Sequence, residues 1–396
     1  MKLRTIKNAD LKGKTAIVRV DYNVPMKGTT VKDDTRIRES LPTINYLLDN
    51  GAKVILMSHL GRPKNGPEDD LRLNPIAQKL SQLIGKPVIK VDSCVGQDVD
   101  HAVKALQTGQ ILMLENTRFH KEEEANDPEF SKKLASYADL FVSDGFGTVH
   151  RAHASTEGIA HHIPAYAGLL VEKEINTLSP LLGNVEHPFV LLLGGAKIDT
   201  KIGVIKTYIK KANTILLGGG IANTFVYARG FDVGESLCEK DKMELAQELM
   251  IEAQENDCEI VTPGGAIVAD EIGDDVITAD IEITGVEGNM QMLDIGEKST
   301  EKYIEILKSA KTIIWNGPVG LYEKEPFEKG TKRIAQALAK VEGKTYLGGG
   351  DTLDALNKFG INPALFTHVS TGGGAMLEFL EGIDLPGIKV LTDTSV

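Results

Sequence analysis

Cysteine is scarce in this chain. Cys94, Cys238 and Cys258 are the only three in 396 residues, widely separated and without Cys-x-x-Cys or Cys/His ligand spacing. That excludes a disulfide framework and a zinc finger or ribbon, and it fits a reducing compartment. Long apolar runs are missing too: no stretch of 18 apolar residues occurs, and Met1–Asp10 is polar, without the apolar segment of a signal peptide. The expectation is a cytoplasmic protein outside any membrane. Nor is there an excess of basic charge. A formal net charge of −12 argues against nucleic acid or an anionic membrane surface as the main partner, while a local basic cleft for a small anion stays possible. Three signature loops are lacking as well. Neither a Walker A pattern nor a protein-kinase glycine loop with its partner motifs is present, and Asp21-Tyr22-Asn23-Val24-Pro25 stands where a dehydrogenase would carry G-x-G-x-x-G after an early strand.

What is present is a globular composition, 42% hydrophobic and 25% charged, in a chain long enough for two domains. Apolar strands are expected at 15–21, 52–57, 87–91, 111–115 and 140–143, alternating with helices at 41–50, 75–84 and 130–137. A helix over Val171–Leu182, between Gly168 and Gly183, reads as the link to a second domain. There, strands are expected at 188–193, 214–217, 259–262, 311–315, 345–348 and 366–369. Helices follow most of them, and 270–290 reads as irregular or antiparallel β. Such alternation means βαβ units around a parallel sheet buried on both faces.

Four of the later strands stop in glycine: Gly194-Gly195, Gly218–Gly220, Gly348–Gly350 and Gly372–Gly374, each before a helix. Glycine lets backbone N–H groups crowd onto an anion, and a helix N-terminus adds partial positive charge. Any one cluster could be an ordinary strand–helix turn. Four at the carboxyl ends of parallel strands, where α/β sheets bind ligands, point to a phosphate-rich ligand. Asp351 stands where an N-cap would open a helix; a carboxylate beside a phosphate nest is also where Mg²⁺ is held, and the roles are compatible.

The arginines are unevenly divided. Eight lie in the first 151 residues, and only Arg229 and Arg333 follow. Arg62, Arg118 and Arg151 each come just after an expected strand, beside His59, His120 and His150. A guanidinium fork grips carboxylate or phosphate with two parallel bonds, so several at successive strand ends suggest a small polyanion site. His150-x-x-His153 has a metal-like spacing, but no third ligand matches it. Asp21 and Asn23 are either turn formers or contacts to substrate hydroxyls. Anion sites of different chemistry in the two halves imply group transfer between two phosphorylated molecules.

Several motifs, in order along almost the whole chain, are similar to those of the phosphoglycerate kinase family. They are Val18-Arg19-Val20-Asp21-Tyr22-Asn23-Val24-Pro25, Ser58-His59-Leu60-Gly61-Arg62-Pro63, Phe146-Gly147-Thr148-Val149-His150-Arg151-Ala152-His153, Gly194-Gly195-Ala196-Lys197, Trp315-Asn316-Gly317-Pro318, Gly348-Gly349-Gly350-Asp351-Thr352 and Ser370-Thr371-Gly372-Gly373-Gly374. The resemblance implies two Rossmann-like three-layer α/β/α domains with mostly parallel sheets joined by a hinge helix. Residues 1–170 would bind 3-phosphoglycerate, and 171–375 would bind nucleotide, with 171–182 as the link. Residues 376–396 would form a tail returning to the first domain. It implies reversible phosphoryl transfer between 1,3-bisphosphoglycerate and Mg-ADP, giving 3-phosphoglycerate and ATP, in a monomer whose domains close on both substrates.

The resemblance assigns the glycerate to Asp21, Asn23, Arg36, His59, Leu60, Gly61, Arg62, Arg118 and Arg151. It assigns the nucleotide to Gly195, Ala196, Lys201, Met292, Glu323, Gly349, Gly350, Asp351 and Thr352, with Glu323 at the ribose hydroxyls and Asp351 at Mg²⁺. Arg36, Lys197 and the Gly372, Gly373 and Gly374 amides would stabilise charge during transfer. The chain departs from the family where Met292 replaces a small residue and Glu297 a proline, which bears on the adenine pocket. A family Pro-Val-Asp stretch is also replaced around Pro263-Gly264-Gly265. A non-catalytic nucleotide or sugar-phosphate sensor on the same fold is the alternative; it would tolerate loss of Lys197 or Arg36, and both are present.

Overall fold

The computed structural model describes residues 2–64 and 66–392. They form two compact units, one made of the chain up to Thr177 together with the residues from Asp384 onward, the other of Leu178–Ile383. The fold is mixed α/β, and each unit is built on a six-stranded, all-parallel sheet.

In the first unit the strand order is Val88–Lys90, Ile111–Met113, Lys53–Met57, Thr15–Arg19, Leu140–Ser143, Ala165–Ala167. The central strands are buried almost end to end. Continuous apolar runs of this kind need cover on both faces, which the crossover helices supply. The helix at Thr35–Asp49 buries Ile37, Ile44, Leu47 and Leu48. It starts six residues before the position expected from sequence and runs through Pro42. The proline cannot donate to the carbonyl four residues back, so the helix loses one bond there rather than beginning at it. The early start matters, because it places Arg36 in the helix's first turn. Two elements escaped the sequence reading. The helix Gln97–Ala105 fully buries only Val99, so its periodicity is faint. The strand Ala165–Ala167 is three residues long and mostly alanine. Residues from Asp384 onward join this unit through Arg4 N–H to the Leu391 carbonyl (2.8 Å) and Gly387 N–H to the Val149 carbonyl (2.8 Å).

In the second unit the order is Glu259–Val261, Thr214–Leu217, Phe189–Leu193, Thr312–Asn316, Lys344–Gly348, His368–Ser370. Trp315 lies wholly inside, its indole N–H donating to the Gly317 carbonyl at 2.7 Å. Over 270–290 both expectations hold in part: Ala279–Glu282 is the edge of a three-stranded antiparallel sheet with Gly265–Ala269 and Gln291–Ile295, and the remainder is irregular apart from a 3₁₀ turn at Ile283–Gly285. The linking segment is not one helix: an α-helix over Leu169–Leu178 gives way to a 3₁₀ turn at Ser179–Leu182, which contains Pro180.

Both sheets reverse direction at their centres. In the first, Lys53–Met57, Val88–Lys90 and Ile111–Met113 all lie to one side of Thr15–Arg19 before the chain crosses to its other side with Leu140–Ser143. In the second, the same happens between Phe189–Leu193 and Thr312–Asn316. The loops leaving such neighbouring strands part from one another, and the crevice between them is where open α/β sheets take ligands.

Candidate functional site

At the reversal in the first sheet, the loops after Arg19, Met57 and Met113 and the helix at Thr35 bring five residues into one hydrogen-bonded network. Arg36 Nη1 pairs with Asp21 Oδ2 at 2.9 Å and donates to the Asn23 carbonyl at 2.9 Å. Asn23 Oδ1 accepts from Gly61 N–H at 2.9 Å, and the Gly61 carbonyl accepts from Arg118 Nη1 at 2.9 Å. Asp21 also accepts from Asn23 N–H at 3.2 Å. Its turn-forming role and its place in the cluster therefore coexist. Arg118 pairs with Glu124 at 3.0 Å. Asn116, fully buried, holds the Leu60 backbone from both sides, donating to its carbonyl at 2.7 Å and accepting from its N–H at 3.3 Å. Arg62 and Arg151 are exposed. The guanidinium groups of both have no hydrogen-bond or ion-pair partner among the described residues.

Behind this network lies a chain the sequence reading missed. Arg19 is 1% exposed. Its Nε donates to Ser155 Oγ at 2.7 Å, and Ser155 in turn donates from Oγ and backbone N–H to the buried Glu123 carboxylate. Its Nη2 reaches His59 Nδ1 at 3.1 Å. A guanidinium only donates, so Nδ1 must accept and the ring proton sits on Nε2. Burial, with Arg19, Arg118 and Arg36 nearby, keeps His59 well below the usual histidine range. Burial followed by Arg151 and His153 lowers His150 to about 4. The histidines here are neutral donors at pH 7, and arginine carries the positive charge. A signal for Arg19 existed: it is a charge inside the apolar run Ala16–Val20.

In the second unit the glycine clusters press against one another. A Cβ on Gly194 would fall 1.9 Å from the Pro318 carbonyl oxygen, one on Gly220 2.5 Å from that of Ala196, and one on Gly373 2.7 Å from Gly349 Cα. Backbone-to-backbone packing between loops explains these glycines. It does not explain Gly195 or Gly350, where a Cβ would meet no protein atom within 4 Å, although Gly195 also needs its φ of +108°. Gly195, Ala196, Met292, Leu321, Glu323 and Asp351 share a pocket of about 240 Å³, with Leu237 and Ile272 at its walls.

Asp351 does not cap its helix. The helix begins at Gly350 after Gly349, and no side chain caps it. Asp351 is the second helical residue, exposed, and is one of the residues lining the pocket. Lys201 likewise precedes its helix, Ile202–Ile209, instead of riding on it. It is buried, hydrogen-bonded to Asn316 Oδ1, and lowered to about 8 by burial, with Asp351 and Glu381 opposing. Asn316 donates onward to the Gly348 carbonyl at 2.8 Å. Thr352 Oγ1 is committed to protein, accepting from Gly317 N–H at 2.8 Å and donating to the Gly348 carbonyl at 3.1 Å. Lys197 is exposed. Gly372 N–H bonds Ser370 Oγ at 3.1 Å.

The two departures are accommodated differently. Met292 is buried in the pocket wall, its N–H on Ser236 Oγ at 2.8 Å. Glu297 opens the helix Glu297–Ser309, donates its N–H to Asp280 Oδ2 at 2.9 Å and pairs with Arg333. A proline there would forfeit the first of these bonds. Among the described residues, no group of three or more His, Cys, Asp or Glu side chains is placed to hold a metal. A lone carboxylate still suits Mg²⁺, which takes one or two protein carboxylates and completes its shell with phosphate and water.

A family model described as phosphoglycerate kinase matches residues 6–383. The phosphoglycerate kinase of Dictyoglomus turgidum is 51% identical over 389 residues, covering 98% of this chain and 98% of that protein. The one from Moorella thermoacetica is 49% identical over 389 residues, covering 98% and 99%. Among solved structures, phosphoglycerate kinase from Coxiella burnetii superposes with a TM-score of 0.86 at 40% identity over 100% of both chains. That from Pyrococcus horikoshii OT3 gives 0.89 at 34% identity over 98% of both. Two parallel sheets whose strand order changes side at the centre, an arginine-bearing network at one crevice and a glycine-floored pocket at the other agree with these likenesses, and the chain belongs to the phosphoglycerate kinase family.

Proposed function

We propose that this phosphotransferase moves the acyl phosphate of 1,3-bisphosphoglycerate reversibly to Mg-ADP, giving 3-phosphoglycerate and ATP, with the glycerate in the first unit and the nucleotide in the second. The observation that carries the reading is the pocket of about 240 Å³ in which Gly195, Ala196, Glu323 and Asp351 meet. It offers backbone for phosphates, a carboxylate for ribose hydroxyls and another for a cation. Asp21, Asn23, His59, Leu60, Gly61, Arg62, Arg118 and Arg151 hold the glycerate, and the unpartnered forks of Arg62 and Arg151 suit its anionic ends. Lys201 sits near the nucleotide phosphates, beside the Gly349-Gly350 amides. Asp351 holds Mg²⁺, which when bound neutralises phosphate charge.

In the direction of ATP synthesis, a terminal oxygen of ADP attacks the acyl phosphorus, the P–O bond to the acyl carbon's oxygen breaks, and the carboxylate leaves. The attacking oxygen is already ionised, so no general base is required. The protein aligns the reactants and offsets charge on the transferring group through Arg36, Lys197 and the Gly372–Gly374 amides. An acyl phosphate hydrolyses if water competes, so the units close about residues 171–182 when both substrates are bound. Small-angle scattering unchanged by the substrate pair would contradict closure. The enzyme acts as a cytoplasmic monomer; no helix among the described residues is long and apolar enough to cross a membrane.

The direct test is activity with ATP and 3-phosphoglycerate, the acyl phosphate being trapped with hydroxylamine, for the wild type and for Lys197→Ala. The reading requires turnover by the wild type and its collapse in the variant. A wild type that binds both ligands without turnover would be a sensor instead.

A further inference from the structure

The helix Gly350–Lys358 begins at the glycine cluster assigned to the nucleotide phosphates. Asp351, Asp354 and Lys358 follow at spacings of three and four, so all three lie on one face of it. Asp351 reaches the pocket. The other two hold the loop that carries Glu323. Lys358 Nζ donates to the Tyr322 carbonyl at 2.7 Å and to the Glu323 carbonyl at 3.3 Å, and pairs with Glu328 at 2.8 Å. An ammonium has three N–H bonds, and these partners use all of them. The buried Tyr322 returns the contact, its hydroxyl donating to Asp354 Oδ2 at 2.8 Å. The loop bearing the ribose candidate is therefore pinned at two points to the helix bearing the metal and phosphate candidates.

We propose that Lys358, with Tyr322 and Asp354, is a positioning residue for the nucleotide: it fixes Glu323 at the distance from Asp351 that the span from ribose to phosphates requires. Lys358 touches no substrate in this scheme. It acts by holding the two backbone carbonyls at Glu323 itself, in a loop that Leu321 N–H to the Leu293 carbonyl (2.7 Å) and Lys324 to Asp274 (2.8 Å) anchor on either side. The inference rests on the assignment of Glu323 to the ribose hydroxyls.

The test is calorimetry on the full chain with Mg-ADP, 2′,3′-dideoxy-ADP and pyrophosphate, for the wild type and for Lys358→Met, which keeps the aliphatic stem. The wild type should prefer ADP over the dideoxy nucleotide by about tenfold, as one charge-assisted hydrogen bond provides. In Lys358→Met that preference should shrink to within about twofold, with pyrophosphate binding unchanged, and KM for ATP should rise while kcat holds. A wild type that does not discriminate overturns the Glu323 assignment and the inference with it. A variant that keeps the wild-type preference overturns the inference alone. Equal loss of ADP and pyrophosphate also overturns it, because Lys358 would then be supporting the whole helix. Should Lys358→Met not fold, Tyr322→Phe removes a single hydroxyl from the same clamp and is judged by the same outcomes.

Discussion

Substituting Gly350 would distinguish a glycine required by packing from one required by a ligand. Alanine there would add a methyl that meets no protein atom within 4 Å, at the first residue of a helix. Alanine is the better helix former by up to about 1 kcal/mol in an interior, and by less at an end. Gly350→Ala should therefore leave unfolding stability unchanged or raise it by a few tenths of a kcal/mol. The same methyl would enter open space at the Gly349–Thr352 turn, where we place the nucleotide phosphates. Displacing a phosphate oxygen from one charge-assisted hydrogen bond costs about 1.5–3 kcal/mol, or roughly 10- to 100-fold in affinity. Gly373→Ala is the control, since its Cβ would lie 2.7 Å from Gly349 Cα. It should lower unfolding stability by an amount typical of overpacking, about 1–3 kcal/mol, and the urea midpoint with it. Urea unfolding and titration with Mg-ADP, run on both variants, give the comparison. If Gly350→Ala binds Mg-ADP within twofold of wild type, the phosphates do not lie on that turn and the assignment of Gly349, Gly350 and Thr352 fails.

Arg36→Ala should lose about 10³-fold in kcat with KM for 3-phosphoglycerate little changed, as for an arginine that meets charge formed in the transition state; a rise in KM alone would make Arg36 a ground-state binder paired with Asp21. Lys201 is lowered to about 8 by burial. In the free enzyme it loses its proton as pH rises through that value, so kcat/KM for ATP should fall above about pH 8, and Lys201→Arg should flatten the decline. Asp294 is raised to about 7 by burial, against the N–H groups of Gly330 and Ile295 that favour its charged form. The native state then keeps a proton that the unfolded chain has lost between about pH 4 and 7, so stability is full at the acid end and falls as pH rises through 7, by up to about 4 kcal/mol. Urea midpoints of wild type and Asp294→Asn at pH 5.5 and 7.5 should diverge, and parallel behaviour would place the Asp294 carboxyl within the ordinary range.

The strands and the glycine clusters were legible because each signal is local. Phe189–Leu193 is an unbroken apolar run that stops in glycine, and Ile313–Trp315 is another that reaches glycine after Asn316, as strands buried on both faces usually do. Arg19 shows where legibility stops. Its place in an apolar run marks it as unusual, yet only the fold brings Ser155 and Glu123 behind it and His59 beside it. The Asp351 cap was misread for a related reason: whether a helix opens at Gly350 or two residues later, at Thr352, depends on how Gly349 packs against Gly373 and Asn316, contacts made from other parts of the sheet edge. The difference has a chemical consequence. As a cap, Asp351 would spend its oxygens on backbone N–H groups; as the second helical residue it keeps them free for a cation. The glycines divide in the same way. In the sequence Gly194, Gly195, Gly349, Gly350 and Gly373 are equivalent, and only the neighbours show that Gly194 and Gly373 make room for protein while Gly195 and Gly350 do not. Motif order can name a family, but assigning each glycine to packing or to a ligand takes the distances across the sheet's edge.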